Sequence, residues 1–516
     1  MKKVMIPLLL GATISSSFAA NDKETLRALE RQVEELRAQI TELKSSIAQS
    51  EASDSQKEIK SMKSQISEVK KHTAGDNIKW DVDFRTAYDQ LNYKINDGQG
   101  GTEKKHNGIW TNKLILGMSA QPFENLVFRG SIAAYKAYGE NNVAQTSYFQ
   151  NFDWYNTNKP NDATLRLREA YFLYLGQIGA MPYTVSFGRR PSLDGFLTNL
   201  RIDNAEPASP TGHNINMQFD GASFKFDFDE LTGIPGLYAK LCIGRGFSET
   251  TGAYSMNMST MGFNPGYIND EYTPDMDMAG FIVQFFNNGQ YKLLGNWFYA
   301  KNLMDMDIQG MSMGQAMTAQ GPQQTMAPMF KFTDVGDMTG GALSFQMNGI
   351  GDGISDFLDD TVFFASYAFS KTKPNNNVVG AITPMGMGQA SGMLGSTDSK
   401  VGHSFYIGLQ MPGFGDKHRF GLEYNHGSKY WRSFTYGEDT LVGSKLAARG
   451  NAYEAYYTLP IVSKNLTAQL SYLYVDYDYT GSDTFFGWTG TPMDVDKTPG
   501  AVKSAQEVRA YLRYRY

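Results

Sequence analysis

The chain closes on nine residues, Val508–Tyr516, that alternate without a fault. One face reads Val508, Ala510, Leu512, Tyr514 and Tyr516; the other reads Arg509, Tyr511, Arg513 and Arg515. Strict period two describes a strand with one apolar side and one polar side. An apolar strand tipped by an aromatic at the last position needs a sheet to receive it. The same period returns sixteen times after Ile78, in a chain region rich in Gly, Tyr and Phe. The runs are Lys79–Tyr88, Asn112–Ala120, Leu126–Tyr138, Thr164–Leu175, Tyr183–Arg189, Ala222–Asp229, Leu237–Gly244 and Met278–Phe286. They continue as Tyr291–Ala300, Gly341–Met347, Val362–Ser370, Ser404–Met411, Arg419–Asn425, Tyr453–Leu459, Leu466–Tyr479 and Val508–Tyr516. Short connections with turn residues, such as Asn287–Gln290 and Pro460–Asn465, alternate with connections of roughly fifteen to forty residues. An even number of strands puts both chain ends on the short-turn side.

The other end carries an export signal. Lys2 and Lys3 precede the apolar run Val4–Leu10, and Ser17-Phe18-Ala19 offers small residues for cleavage after Ala19. A membrane anchor needs about 20 apolar residues, and this run is shorter. No later stretch is long and apolar enough to span as a helix. Loss of Lys2 and Lys3 moves the formal charge from −6 to −8, the wrong sign for a nucleic-acid partner. Cys242 is the sole cysteine, so no intrachain disulfide forms.

Residues 20–72 are a different polymer. From residue 21 they contain no Gly, Pro, Phe, Trp or Tyr, and Leu26, Leu29, Val33, Leu36, Ile40, Leu43 and Ile47 recur at alternating spacings of three and four. That pattern is a coiled-coil seam, with Leu26, Val33, Ile40 and Ile47 at a and Leu29, Leu36 and Leu43 at d. The phase breaks across Ser50–Gln56 and resumes at Ile59, Met62, Ile66 and Val69. The competing reading is an amphipathic helix lying on the sheet domain. The layout predicts a signal peptide over 1–19, a coiled coil over 20–72, a linker over 73–77 and a β-domain over 78–516.

Together, the export signal, the coil, the alternating loops and the terminal Tyr516 resemble the sixteen-stranded porin class of bacterial outer-membrane barrels. The layout is most similar to a porin-like family known only as a domain of unknown function. The resemblance implies an all-β transmembrane barrel of about 16 antiparallel strands (14–18) preceded by an α-helical coiled coil. It also implies the outer membrane of a Gram-negative bacterium, with the coil in the periplasm. Tyr514 and Tyr516 then form the C-terminal signal for the barrel assembly machinery. The implied partners are outer-membrane lipid, small hydrophilic solutes and further copies of the chain in a trimer or dimer. A TonB-dependent transporter needs about 22 strands and a plug domain, for which this chain lacks the length.

The faces agree with a barrel. Trp80, Val82 and Phe84, or Phe405, Ile407 and Leu409, fall on one side as a lipid face needs, and Lys79, Asp81, Asp83 and Arg85 on the other. Sixteen strands leave a water channel rather than a packed core. Arg129, Arg166, Arg168 and Arg190 should share one lumen wall, with Arg509 and Arg513 on the closing strand, and such walls favour anions. The competing reading is a wet wall of both signs, to which Asp81, Asp83, Asp227, Asp229, Glu423 and Glu454 belong. Glu169 falls on the outward face, which suggests an oligomer contact or a slipped register.

Methionine pairs at 256/258, 276/278, 304/306, 311/313 and 385/387 suit Cu(I) by softness, or serve as flexible gap-fillers in loops. Asp352, Asp356, Asp359 and Asp360 lack the spacing of a calcium loop and read as a solvated turn. The six His residues show no metal-ligand spacing and no nucleophile elbow is present, so neither an enzyme nor a cofactor or metal protein is expected. The expectation is a porin-like channel for passive diffusion, leaning to anions. The alternative is a structural or adhesin protein tethering the envelope through its coil, without an open pore.

Overall fold

The computed structural model describes residues 78–516 apart from 140–151, 155, 205, 252–255, 258–261, 264–265, 270–274, 319–320, 352, 384–385 and 483–489. Sixteen strands form a closed barrel. They are β1 (Lys79–Asn96), β2 (Thr102–Phe123), β3 (Leu126–Ala137), β4 (Arg166–Ile178), β5 (Met181–Arg190), β6 (Phe219–Asp227), β7 (Tyr238–Phe247) and β8 (Met276–Asn287). The second half comprises β9 (Tyr291–Thr318), β10 (Gly321–Asn348), β11 (Val362–Pro374), β12 (Val401–Pro412), β13 (Arg419–Gly427), β14 (Gly450–Val462), β15 (Leu466–Tyr477) and β16 (Val502–Arg515). Each strand pairs antiparallel with its sequence neighbours, and β16 returns to β1 with Arg513 opposite Arg85. Tyr516 completes the closure: its N–H donates to the Val82 carbonyl at 2.9 Å and its carbonyl accepts from the Val82 N–H at 3.0 Å. Closure satisfies every edge, which an isolated sheet in lipid cannot do.

Each of the sixteen expected runs overlaps a barrel strand, with overhangs such as Thr164, Asp229 and Tyr479, and several strands run further. β2 begins with the polar residues Thr102–Asn107, and β9 and β10 form a hairpin of 28 residues per strand. Two connections on the long-loop side are thereby absorbed into strands.

The alternation sorts the side chains as a lipid-facing sheet requires. Phe405, Ile407 and Leu422 are exposed, while their neighbours Ser404, Tyr406, Glu423 and Asn425 are buried. On β1, Trp80 and Phe84 face out, and Arg85, Ala87 and Asp89 are buried in the lumen. Outward aromatics form ladders across strands, with the Phe172 and Phe187 rings 5.6 Å apart and Phe187 and Phe224 6.0 Å apart. Such cross-strand pairs reinforce the register.

Glu169 faces the lumen, correcting the outward placement. The β3–β4 register shifts between Ser131 and Ile132, so Glu169 sits opposite the buried Ser131 and Leu167 opposite Ile132. Arg168 is the extra residue. A β-bulge reverses the parity that simple alternation assigns downstream.

The expected fold class is also corrected. It is all-β: among the described residues the α-helices are single turns, Asp229–Thr232 and Asp356–Asp359, beside the 3₁₀ turn Gly392–Leu394. A heptad reports a stripe, and a coiled coil also needs a second seam to bury it. No described helix is long enough to supply one. The expected N-terminal coiled coil, and with it a coil in the periplasm, therefore gives way to an all-β barrel as the described fold. The signal peptide and the seam Leu26, Leu29, Val33, Leu36, Ile40, Leu43 and Ile47 lie outside the described residues.

Candidate functional site in the barrel lumen

A lumen this wide exceeds what wall side chains can fill. Long connections occupy it instead, chiefly residues 191–218 between β5 and β6 and residues 428–449 between β13 and β14; between β3 and β4, Asn158 and Lys159 also reach in and donate to the carbonyls of Gly437, Glu438 and Thr440. The first reaches the short-turn end of the barrel. The Arg513 guanidinium donates to the Ile202 carbonyl at 2.6 Å, and Arg515 pairs with Asp203 at 2.7 Å. Along the way Phe196, Leu197 and Leu200 pack on Ile282, Leu294, Phe364 and Tyr406 of the wall. Leu197 takes φ of +81° although fully buried, a conformation costly for a branched side chain, so its surroundings must hold it there. His213 lies between two wall serines, its Nδ1 2.7 Å from Ser366 Oγ and its Nε2 2.9 Å from Ser404 Oγ. Burial pushes the imidazole of this loop residue down to about 3.

The second connection folds around Trp431. Its indole donates to the Leu446 carbonyl at 2.8 Å, and Arg449 Nε donates back to the Trp431 carbonyl at 3.0 Å. Arg432 and Arg449 also donate to the Gly490 carbonyl, tying the base of this loop to the connection between β15 and β16.

Two buried ionic clusters join the loops to the wall. In the first, Asp439 of the second loop meets Arg85, Lys113 and Arg509. Arg85 grips both oxygens, Nη1 to Oδ2 at 2.9 Å and Nη2 to Oδ1 at 3.0 Å; Lys113 Nζ reaches Oδ2 at 2.8 Å and Arg509 Nη1 reaches Oδ1 at 3.3 Å. Asp89 and Glu507 hold Arg509 from the other side, giving three cations against three carboxylates. Burial alone raises a carboxyl's pKa, but Arg85, Lys113 and Arg509 outweigh it and hold Asp439 well below the usual range.

In the second cluster, Lys445 of the second loop is paired with Glu423 and Glu454 of the wall, with Glu438 at 3.8 Å. Arg201 of the first loop reaches Glu454 at 3.1 Å, and the Tyr406 hydroxyl donates to Glu423 at 2.6 Å. Two cations face three carboxylates, a net −1. Most of the buried charge is partnered, as charges taken from water require, while Oε1 of Glu423 and of Glu438 is left without a hydrogen bond.

The arginines singled out from sequence fall in different settings. Arg168 and Arg509 are buried, and Asn158 bridges them indirectly: its Oδ1 accepts from Arg168 at 2.5 Å and from Lys113 at 2.9 Å, beside Asp439. Arg166 is half-buried and paired with Asp162 at 2.9 Å, while Arg513 is paired with Asp83. Arg190 is half-buried opposite Phe219, and Arg129 is exposed opposite Tyr171. Sequence reasoning missed Lys113, Asp439, Arg201 and Lys445. The available signal was composition: an extracellular loop carrying Trp431, Phe434, Tyr436 and Leu446 among charges would expose all four to water.

At the short-turn mouth a cavity of about 770 Å³ is lined by Asp81, Asp83, Asp203, Arg419, Lys464 and Arg515 among others. At the other end Met276, Met304, Met306, Met338 and Met393 are packed with Phe298, Phe332 and Phe434 in one apolar cluster, as gap-fillers are. Met258 and Met385 lie outside the described residues. Asp356 and Asp359 belong to a capped helical turn in which Leu358 N–H donates to Ser355 Oγ. Among the described residues no three His, Cys, Asp or Glu side chains converge as a metal site.

A family model described as "Protein of unknown function (DUF3373)" matches residues 103–516. No curated protein matches the sequence. Among solved structures, Pseudomonas putida OprB is similar over 87% of this chain and 96% of its own, at 12% identity and a TM-score of 0.44. Salmonella typhi OmpF is similar over 86% of this chain and 99% of its own, at 10% identity and a TM-score of 0.43. An anion-selective porin from Comamonas acidovorans is similar over 85% of this chain and 99% of its own, at 10% identity and a TM-score of 0.42.

Proposed function

Since the chain belongs to the family of proteins of unknown function DUF3373, we propose that it is an outer-membrane, porin-like channel passing small hydrophilic solutes by diffusion. The observation that carries this reading is a closed sixteen-stranded barrel, apolar outside, whose lumen is narrowed by inward connections rather than packed by its own wall. An apolar exterior with a charged interior suits a barrel in lipid around a polar path. The loops then set the bore, and passage is confined to the space beside them. The channel carries no reaction and uses no bound energy source.

Ion selectivity follows from the pairing. Arg168, Arg509 and Arg513 answer carboxylates in the lumen, so their fields largely cancel beyond a few ångströms. The exposed Arg129 is the candidate for a residual anion lean. Tyr514 and Tyr516 remain our candidates for the assembly signal, both being exposed at the closing edge.

The test is conductance in planar bilayers. Wild type should conduct in small steps, and a variant in which a short turn joins Gly427 to Gly450 should conduct several-fold more. A silent wild type beside a conducting variant would instead favour a closed barrel with a structural role, which the depth of loop packing also accommodates. Two well-folded but silent proteins would end the channel reading.

A further inference from the structure

We propose that Arg85, Lys113, Tyr135 and Arg509 form a carboxylate-binding site in the lumen wall whose resident occupant is the chain's own Asp439. A carboxylate-bearing solute takes the same place when residues 428–449 withdraw. This deepens the channel reading and rests on it.

The four wall residues come from four neighbouring strands, β1, β2, β3 and β16. Their relative positions follow from the ladder, with Arg85 opposite Lys113, Lys113 opposite Tyr135 and Asp89 opposite Arg509. The wall alone thus brings these residues onto adjacent positions, and only the occupant belongs to the loop. Around Asp439 the wall supplies a two-pronged arginine fork, an ammonium at 2.8 Å, a second guanidinium at 3.3 Å and the Tyr135 hydroxyl at 3.5 Å. Arg85 is itself stacked, 5.4 Å from the Tyr135 ring centroid and 5.6 Å from that of Tyr511, which fixes the plane of the fork. A planar fork meeting both oxygens is the geometry by which arginine recognises a carboxylate.

A structural ion pair needs one cation. Here three converge on one carboxylate, and that carboxylate sits on a connection rather than on the wall. With Asp439 withdrawn, the wall keeps three cations against Asp89 and Glu507, an excess of one positive charge. One solute carboxylate restores neutrality and refills every donor. A neutral sugar does neither, so the site sorts solutes by charge at the point where the loop blocks passage.

The experiment uses full-length protein folded in detergent. Asp439→Ala removes the resident carboxylate and should lower the temperature at which the compact form converts to the extended form on a gel. Formate and acetate should restore that temperature saturably, phosphate more weakly and chloride not at all. Asp439→Asn, whose amide still fills the place, should show no rescue. If Asp439→Ala fails to fold, the variant joining Gly427 to Gly450 opens the site without a buried vacancy. Calorimetry should then show saturable succinate binding, weakened roughly ten- to a hundredfold by a further Lys113→Met. Absence of rescue and binding, or an equal response to chloride, overturns the proposal. Because these readouts need no conduction, a silent channel with carboxylate binding defeats only the channel reading. A conducting channel without binding defeats only the site.

Discussion

Replacing Lys445 by Met tests whether the ionic clusters hold the second loop in the lumen. Its ammonium is almost wholly buried and is shared by Glu423 and Glu454, with Glu438 at 3.8 Å. Methionine keeps most of the length of the side chain and removes the charge. Three carboxylates would then face Arg201 alone, and the cluster would move from a net −1 to a net −2. Breaking a buried pair by removing one partner costs about 3–5 kcal/mol. The barrel does not have to bear that cost, because its backbone ladder closes without the loop and the loop can leave. The cost therefore appears as a shift of roughly two to four powers of ten in the ratio of withdrawn to packed loop. In planar bilayers Lys445→Met should show larger or longer openings than wild type. In liposomes, a protease added on the long-loop side should cut within 428–449 far faster, while gel migration of the heat-treated and untreated barrel stays normal. Adding Glu423→Gln should recover part of the wild-type behaviour, since it removes one of the stranded charges. Wild-type conductance and wild-type protease resistance in Lys445→Met would refute the argument, because the cluster would then contribute nothing to loop placement.

Deleting Tyr516 removes both backbone hydrogen bonds to Val82, each worth about 0.5–1.5 kcal/mol, together with the proposed assembly signal; insertion measured by heat-modifiable migration should fall. Arg129→Glu should move the reversal potential towards cations at low salt and lose that effect near 1 M, where the Debye length is about 3 Å. Arg168→Ala should act differently, since it frees Asp194 and takes one of two donors from Asn158 Oδ1: its effect should be on channel noise rather than on selectivity alone. His213 sits on an inward loop with its pKa lowered by burial to about 3, against an unfolded value of about 6.5. Packing favours the neutral ring, so its contribution is complete above pH 6.5 and is lost progressively as pH falls towards 3. Conductance should hold steady from about pH 7 to 8 and grow noisier on acidification, and His213→Asn should blunt that trend.

The architecture was legible because alternation is local. Whether Phe405 and Ile407 face lipid while Tyr406 faces inward depends on three consecutive residues and a pleat, and all sixteen strands carry such a stretch. The closing strand could be read from Val508 to Tyr516 for the same reason. Where the period continued through polar residues beyond the membrane, as at Thr102–Asn107, strand ends were legible only in part. One bulge at Arg168 was enough to reverse the side assigned to Glu169, because a single extra residue changes parity without changing composition. The heptad at Leu26–Ile47 marked a stripe, and a stripe alone does not specify a partner. The occupied lumen was decided by tertiary structure. Arg85 meets Asp439 across 354 residues of chain and Arg201 meets Glu454 across 253, and no local pattern encodes which charge a connection will bury against which wall. The sequence by itself therefore determined a closed, lipid-facing sheet with arginines on its inner face. Only the fold decided which connections turn inward and pair with that face, because burying those charges is tolerable only when their partners arrive together.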